Sequence, residues 1–177
     1  MNINIEKLEK KNICFTGMMG SGKSSIGKQL AKIIKYRFLD TDSLIEKNEG
    51  KNISEIFKIY GEDYFRKCEE KVVLNVLELK NVVISLGGGS ILNETIRKVM
   101  EKNSFTIYLD ANIDVLSKRL EKSKKRPLLE NQHIKKKLHN LLKDRKKYYN
   151  MANLKISNSI NKIDTIKQLK KKFTKYE

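Results

Sequence analysis

The stretch from Gly17 to Ser24 limits what this chain can fold into more than any other. It reads Gly-Met-Met-Gly-Ser-Gly-Lys-Ser, with two glycines separated by four residues and followed by Lys-Ser, a pattern typical of phosphate-binding loops. Residues 12–16 before it are apolar and partly β-branched, which predicts a buried strand, and Ile26 and Leu30 behind it recur at helical spacing. This context favours a phosphate site over the alternative, a glycine-rich turn that binds nothing.

The residue types in this loop suit a nucleotide. Glycines let backbone N–H groups approach phosphate oxygens, and the positive end of the following helix points at the same anion. Lys23 would reach the β- and γ-phosphates, and the Ser24 hydroxyl would ligate Mg²⁺. The residues that we expect to bind ATP here are Gly20, Ser21, Gly22, Lys23, Ser24 and Ser25.

Length and composition indicate one soluble domain. The chain has 177 residues, of which 39% are hydrophobic and 33% charged, enough for a single core and short for two. No apolar run approaches the roughly 20 residues that cross a bilayer, and we see no signal peptide at the start. Cys14 and Cys68 are expected to be reduced and buried, so we predict a cytoplasmic protein without membrane association.

The formal net charge of +17 raises the alternative of nucleic-acid binding. The lysines are spread along the whole chain, and no aromatic-rich RNA-binding motif is interleaved with them. We therefore expect a solvated basic surface that attracts anionic substrates, and no nucleic-acid partner.

Predicted strands and helices alternate along the chain, which indicates βαβ units and a parallel sheet with helices on both faces. The predicted strands are 12–16, 37–40, 82–86, 105–110 and 154–157. The first predicted helix follows the phosphate loop and ends near residue 35, and a long helix after Gly61 ends near residue 79. The other predicted helices are 44–48, 54–60, 93–102, 113–122, 134–149 and 163–173. Gly61 is predicted to separate the helix 54–60 from the long one. Ligands bind at the carboxyl ends of such strands. The phosphate loop, Asp40 with Asp42, and Gly87–Gly89 each follow one of the first three strands, so we expect them to meet at that edge.

Several further motifs, in this order, carry a resemblance to a known family. They are Phe-Leu-Asp-Thr-Asp (38–42), Ile-Ser-Glu-Ile-Phe (53–57), Gly-Glu-Asp-Tyr-Phe-Arg (61–66), Ser-Leu-Gly-Gly-Gly (85–89) and Arg-Pro-Leu-Leu (126–129). With the phosphate loop, they make the chain resemble shikimate kinase from about residue 12 to 173. The resemblance implies an α/β, three-layer P-loop kinase fold with a five-stranded parallel sheet, a substrate-binding segment (about 41–70) and a lid (about 119–132) within a single domain, 1–177. It also implies a monomer that uses MgATP to phosphorylate the 3-hydroxyl of shikimate, toward chorismate and the aromatic amino acids.

The resemblance also implies residue roles. Asp40 would lie near Mg²⁺ with Ser24, and Asp42 would bind the substrate hydroxyls and take the proton from the attacking one. Arg66 and Arg145 would clamp the shikimate carboxylate, beside backbone N–H groups of Gly87, Gly88 and Gly89. Arg126 in the lid would stabilise the transferring phosphate. Arg119 would pack on adenine. Arg119 and Arg126 would therefore both bind ATP.

Only six of the 38 basic residues are arginines, and four of those six fall on the positions just named. In a chain whose basic residues are mostly lysines, an arginine indicates a position that needs the planar guanidinium group and its paired hydrogen-bond donors. Arg37 and Arg97 match no such position and are predicted to be surface residues. The loop 157–162 lacks the arginine and proline often found there in the family, which leaves its adenine contacts open.

Two other functions remain as alternatives. A kinase for a nucleoside monophosphate or gluconate would share the fold, although a nucleotide acceptor would need further arginines for its phosphate. A nucleic-acid-dependent ATPase would show DNA- or RNA-stimulated turnover and steeply salt-dependent binding.

Overall fold

A single parallel sheet organises the computed structural model, which describes residues 9–121, 134–158 and 161–173. Its strands are β1 (Asn12–Thr16), β2 (Arg37–Asp40), β3 (Val82–Ser85), β4 (Ser104–Asp110) and β5 (Leu154–Ser157). They lie in the order β2-β3-β1-β4-β5, and every neighbouring pair is parallel. The predicted five-stranded parallel sheet is confirmed, with β1 at its centre.

The helices alternate with the strands as expected. They are α1 (Lys23–Ile34), α2 (Thr41–Glu49), α3 (Ile53–Leu77), α4 (Glu94–Asn103), α5 (Ile113–Glu121), α6 (Ile134–Tyr149) and α7 (Lys162–Phe173), with a short 3₁₀ helix at Ser90–Leu92. In the described parts of the chain, none of them is both long and apolar enough to cross a membrane.

Each face of the sheet has its own core. On one face α1 and α7 cover the apolar side chains of β1 and β4, with Phe15, Leu30 and Phe173 among the fully buried members. On the other face α3, α4, α5 and α6 pack over Cys14, Ile84 and neighbouring residues. These two cores make the three layers of the predicted fold.

A third, smaller core holds α2 against the first part of α3. Its buried members are Ile45, Ile56, Phe65 and Val72. We call residues 41–70 the acceptor segment, because they contain three of these four buried residues and two of the predicted substrate residues.

Several element ends differ from the predictions for identifiable reasons. Helix α2 begins at Thr41, earlier than expected, because the Asp40 carboxylate accepts hydrogen bonds from the amides of Asp42 and Ser43 and caps the helix. The predicted break at Gly61 is present as a kink with φ 81° and ψ 176° inside α3, a conformation that glycine adopts freely. The capping box of Asn52 and Glu55 is also present.

Two predictions about side-chain burial need correction. Cys14 is buried in β1 as expected, but Cys68 is only half-buried, because it lies on α3 beside the Glu49 carboxylate, to which its thiol donates at 3.4 Å. Arg37 is exposed as predicted. The surface prediction is wrong for Arg97, which is half-buried and donates from Nη1 to the carbonyl oxygens of Ile91 and Leu92 at 2.9 and 2.8 Å.

Candidate active site

The phosphate loop joins β1 to α1, and its glycines are needed for its path. Gly17, Gly20 and Gly22 have φ angles of 137°, 77° and 94°, which L side chains rarely adopt. A Cβ at Gly17 would lie 2.6 Å from the carbonyl oxygen of Leu109, so the loop passes directly against β4. Helix α1 then begins at Lys23 with no acidic residue in its first turn, leaving its positive end directed at the loop.

Lys23 lies inside this loop rather than in solvent. Its side chain is nearly buried, and Nζ donates to the carbonyl oxygens of Gly17 at 2.8 Å and Met18 at 3.1 Å. A compact ammonium charge held there faces the anion that the loop amides would bind. Of the neighbouring serines, Ser21 is fully buried and Ser25 is exposed in the first turn of α1. The loop therefore places a positive charge where ATP phosphates are expected.

Oxygen atoms from three elements meet beside Lys23. The Ser24 hydroxyl donates to Oδ2 of Asp40 at 2.5 Å and lies 3.3 Å from Oγ of Ser85. Mg²⁺ prefers oxygen ligands and is commonly bound by one or two protein groups together with substrate phosphates. In the described ranges no three His, Cys, Asp or Glu side chains form a metal-binding group, so the donor set fits a magnesium ion shared with a nucleotide and not an all-protein cage.

The glycine segment, Gly87–Gly89, is the point on which the predicted substrate residues converge. A Cβ at Gly87 would lie 2.8 Å from Oδ1 of Asp42, and one at Gly89 would lie 2.6 Å from Nη1 of Arg66. A Cβ at Gly88 would lie 3.6 Å from Nη1 of Arg145. The structure thus brings together the Asp42 carboxylate from α2, one guanidinium from α3 and one from α6 around a backbone without side chains. A second carboxylate lies there as well, since Oε1 of Glu69 would be 2.7 Å from a Cβ at Gly87.

Arg66 is held in place by acidic neighbours. Its guanidinium pairs with Glu69 at 2.6 Å and with Glu62 at 2.8 Å. Burial lowers the pKa of Arg66, but these two carboxylates outweigh burial and raise the pKa overall. Glu69 is buried and also accepts from the Ser90 hydroxyl at 2.6 Å. Glu69 therefore links the arginine to the residue that follows the glycine segment.

Arg145 lies on the buried side of α6. Only 6% of its surface is exposed, and its Nε has no hydrogen-bond partner among the described residues. One turn later, the Tyr149 hydroxyl donates to the carbonyl oxygen of Gly88 at 2.6 Å. Burial raises the pKa of Tyr149 to about 12, although the charge of Arg145 acts in the opposite direction. A buried guanidinium with unused hydrogen-bonding capacity suits an anionic ligand group.

Arg119 on α5 contacts the phosphate loop from the other side of the site. Its Nη1 donates to the carbonyl oxygen of Gly20 at 3.2 Å, and its Nη2 donates to that of Asn158 at 3.0 Å. Its packing on adenine stays a prediction. Arg126 and most of the predicted lid, 119–132, lie outside the described residues.

The sequence of this chain is similar to those of known proteins. A sequence model of a protein family described as "Shikimate kinase" matches residues 19–174. The chain belongs to the shikimate kinase family. A shikimate kinase from Caldanaerobacter subterraneus subsp. tengcongensis is 40% identical over 156 residues, which cover 88% of this chain and 91% of that protein. One from Clostridium botulinum is 45% identical over 152 residues, covering 84% and 88% of the two chains.

A solved structure is similar over the same extent. Shikimate kinase from Acinetobacter baumannii in complex with shikimate superposes with a TM-score of 0.87 at 31% identity, and the match covers 94% of each chain. The predicted α/β kinase fold is confirmed. Members of the shikimate kinase family are ATP-dependent phosphotransferases that act on an alcohol group, so the family assigns this chain to that class of enzyme and to the shikimate pathway.

Three residues at the site were missed by sequence analysis: Glu69, Tyr149 and Asn158. Glu69 is three residues after Arg66 on α3, a spacing that allows an ion pair on a helix, so a signal for it existed. Tyr149 stands one helical turn after Arg145, but its neighbour Tyr148 makes the same pattern ambiguous. For Asn158 the sequence contains no signal, because its contact with the phosphate loop, at the Ser21 carbonyl, joins residues 137 positions apart in the chain.

Proposed function

We propose that this chain transfers the γ-phosphoryl group of ATP to the 3-hydroxyl of shikimate at the strand edge just described. The observation that carries this proposal is the convergence of Asp42, Arg66 and Arg145 on the glycine segment, next to a loop built for phosphate. One carboxylate and two guanidinium groups match an acceptor that has hydroxyl groups and one carboxylate.

Binding of the acceptor would begin with its carboxylate. Arg66 lies beside Gly89 and Arg145 beside Gly88, and each guanidinium can donate two parallel hydrogen bonds to a carboxylate. The glycines leave room for the ring of the acceptor against the backbone. This arrangement would orient the acceptor and place one of its hydroxyls near Asp42.

Asp42 would act on the reacting hydroxyl. Its Oδ1 faces the glycine segment from the first turn of α2, where it can accept a hydrogen bond from the hydroxyl and take its proton as the oxygen attacks phosphorus. Phosphoryl transfer depends mainly on positioning and on neutralising charge. Lys23 would supply that neutralisation at the γ-phosphate, and Arg126 would do the same from the lid.

Magnesium is part of this proposal. Ser24 and Asp40 would hold Mg²⁺, Asp40 through a bound water, and the ion would neutralise phosphate charge when bound with ATP. Gly20, Ser21, Gly22 and Ser25 would bind the phosphates together with Lys23, and Arg119 would contact the adenine side.

We also propose that the chain acts as one domain and as a monomer in the cytoplasm, without a nucleic-acid partner. Both cysteines are free thiols, which supports the assignment to a reducing compartment. The acceptor segment and the lid, 119–132, would be its two substrate-binding parts.

The test is ADP release by the purified chain with MgATP alone and with shikimate, AMP, CMP, gluconate or single-stranded DNA. We expect strong stimulation by shikimate only, with formation of shikimate 3-phosphate, and none in the Lys23→Met variant. Stimulation by another acceptor and not by shikimate would overturn the proposed substrate. Stimulation by DNA would favour the nucleic-acid-dependent ATPase instead.

A further inference from the structure

Asn158 lies directly after β5, and each of its polar groups has a partner. Its backbone amide donates to the carbonyl oxygen of Asp110 at 2.7 Å, and its backbone carbonyl accepts from Arg119 at 3.0 Å. Its side-chain Nδ2 donates to the carbonyl oxygen of Ser21 at 2.6 Å, and its Oδ1 accepts from the Thr165 hydroxyl at 2.6 Å. Only 4% of the residue is exposed, so these bonds are shielded from water.

The orientation of the side-chain amide is fixed by these partners. The carbonyl oxygen of Ser21 can only accept a hydrogen bond, so Nδ2 and not Oδ1 must face it. Thr165 can donate to Oδ1 on the other side. A carboxylate in the place of this amide would set an oxygen against the Ser21 carbonyl oxygen and could not donate to it.

The Ser21 carbonyl belongs to the same peptide unit as the N–H of Gly22, so a hydrogen bond to the carbonyl also fixes the direction of that N–H. In a trans peptide, the carbonyl of one residue and the N–H of the next point in opposite directions. A bond from Asn158 to the Ser21 carbonyl therefore holds the N–H of Gly22 pointing away from Asn158. Asn158 also packs against this glycine, since a Cβ at Gly22 would lie 2.5 Å from Nδ2.

We propose that Asn158 is a positioning residue for phosphoryl transfer, which fixes the Ser21–Gly22 peptide of the phosphate loop in the orientation that binds ATP phosphates. It acts from the loop after β5 through the backbone of the loop after β1. This role differs from the adenine contact that the position of its loop suggests. The inference rests on the proposed binding of ATP by residues 17–24.

The first measurement is binding of ADP and of adenosine to the wild type and to Asn158→Asp. Because Asn158 acts on the phosphate side, we expect the affinity for ADP to fall about tenfold or more, as the loss of a buried hydrogen bond implies. The affinity for adenosine, which has no phosphate, should stay the same. An equal fall for both ligands would show an adenine contact and overturn the proposal, as would an unchanged affinity for ADP in the folded variant.

The matched control is Asn161→Asp. Asn161 lies in the same loop, and its Oδ1 accepts from the amide of Asp164 at 2.9 Å at the start of α7, a contact that an aspartate preserves. The variant loses only the exposed bond from Nδ2 to the Asp164 carboxylate at 2.7 Å. We expect this variant to bind ADP like the wild type. A loss as large as that in Asn158→Asp would show a general effect of charge in this loop and overturn the proposal.

A second variant covers the case in which Asn158→Asp does not fold. Thr165→Val removes the hydroxyl that holds Oδ1 of Asn158 and keeps nearly the same volume. We expect a smaller loss of ADP affinity, with a raised KM for ATP and an unchanged KM for shikimate, and partial recovery in Thr165→Ser. Unchanged ADP affinity in Thr165→Val would overturn the proposal.

Because nucleotide binding is measured without shikimate, a wild type that binds ADP but does not phosphorylate shikimate would refute the proposed function alone.

Discussion

Arg66, which we propose to bind the carboxylate of the acceptor, is already fixed in place by its acidic neighbours. It is gripped by Glu62 and Glu69, so little rotamer freedom remains to be lost when a carboxylate binds. Glu69 is itself buried, and a buried carboxylate needs a charged partner. The pair is therefore stable as a unit, and it presents the remaining edge of the guanidinium toward the glycine segment.

Replacing Arg66 by Lys should keep the charge and remove the fork. We expect the KM for shikimate to rise about tenfold or more and the KM for ATP to change little, because a lysine cannot form the bidentate contact. Steady-state kinetics with each substrate varied in turn would measure this. The matched control is Arg37→Lys, at an exposed arginine on β2. Equal changes in both KM values would contradict the assignment of Arg66 to the acceptor.

Asp42→Asn should leave the shape of the site intact and remove the proton acceptor. We expect kcat to fall about 10²-fold or more, in the range typical of a lost general base, while the KM for ATP changes little. Asp63→Asn, at an exposed position in the same acceptor segment, should behave like the wild type. A kcat within a factor of about two of the wild type in Asp42→Asn would remove Asp42 from the mechanism.

At the residue scale, sequence analysis identified the ligand-facing groups better than the groups that hold them. Lys23, Asp42 and Arg66 stood in recognisable motifs, whereas Arg145 was assigned by the family resemblance alone. The structure places Lys23 in the phosphate loop and the other three around Gly87–Gly89. Glu69 holds Arg66 by an ion pair three residues along α3, a local pattern that was overlooked. The importance of Asn158 depends on a contact across the fold with Ser21, which no local pattern contains.

At the scale of elements, the last residue of α6, Tyr149, connects this helix to the glycine segment by a hydrogen bond. The Tyr149 ring is fully buried and stacks on Tyr108 with centroids 5.1 Å apart, and its hydroxyl donates to the carbonyl oxygen of Gly88. Beside it, Arg97 of α4 lies 4.1 Å from the centre of the Tyr148 ring. These contacts hold α6, and therefore Arg145, at a fixed distance from the strand edge.

Tyr149→Phe should test this connection. The substitution leaves the Gly88 carbonyl without its buried donor, so we expect the free energy of unfolding to fall by about 1–2 kcal/mol. Urea denaturation followed by circular dichroism would measure it. Tyr148→Phe is the matched control, because no hydrogen bond of its hydroxyl is found in the described residues and its ring contact with Arg97 would remain. A loss of stability of the same size in both variants would contradict a specific role for the bond to Gly88.

The elements themselves followed from the sequence more closely than their ends. All five predicted strands are present in the sheet. β1, β3 and β4 form the buried apolar runs expected of central parallel strands, whereas the edge strand β2 is partly exposed and β5 alternates between buried and exposed residues. The start of α2 was missed, since Asp40 belongs to β2 by its backbone and caps α2 by its side chain. The 3₁₀ helix at Ser90–Leu92 was also missed, because such short helices have no periodicity of their own.

At the scale of the whole molecule, the net charge of +17 surrounds a site for two anionic substrates. Such a field raises the rate at which anions arrive, and salt screens it. We expect kcat/KM for shikimate to fall several-fold between about 0.05 and about 0.5 M KCl, with kcat nearly unchanged, because screening acts on encounter more than on chemistry. Steady-state kinetics over this range would measure it, and thermal unfolding at each salt concentration is the control. A kcat/KM that does not depend on salt would contradict steering by the surface charge.

The separate core of the acceptor segment has a consequence for how this enzyme can change over generations. None of its four buried members, Ile45, Ile56, Phe65 and Val72, belongs to the buried part of either core of the sheet. Mutations that change this small core can accumulate without destabilising the phosphate loop. The choice of acceptor can therefore drift, or be redesigned by grafting a foreign segment, while the phosphate donor stays the same.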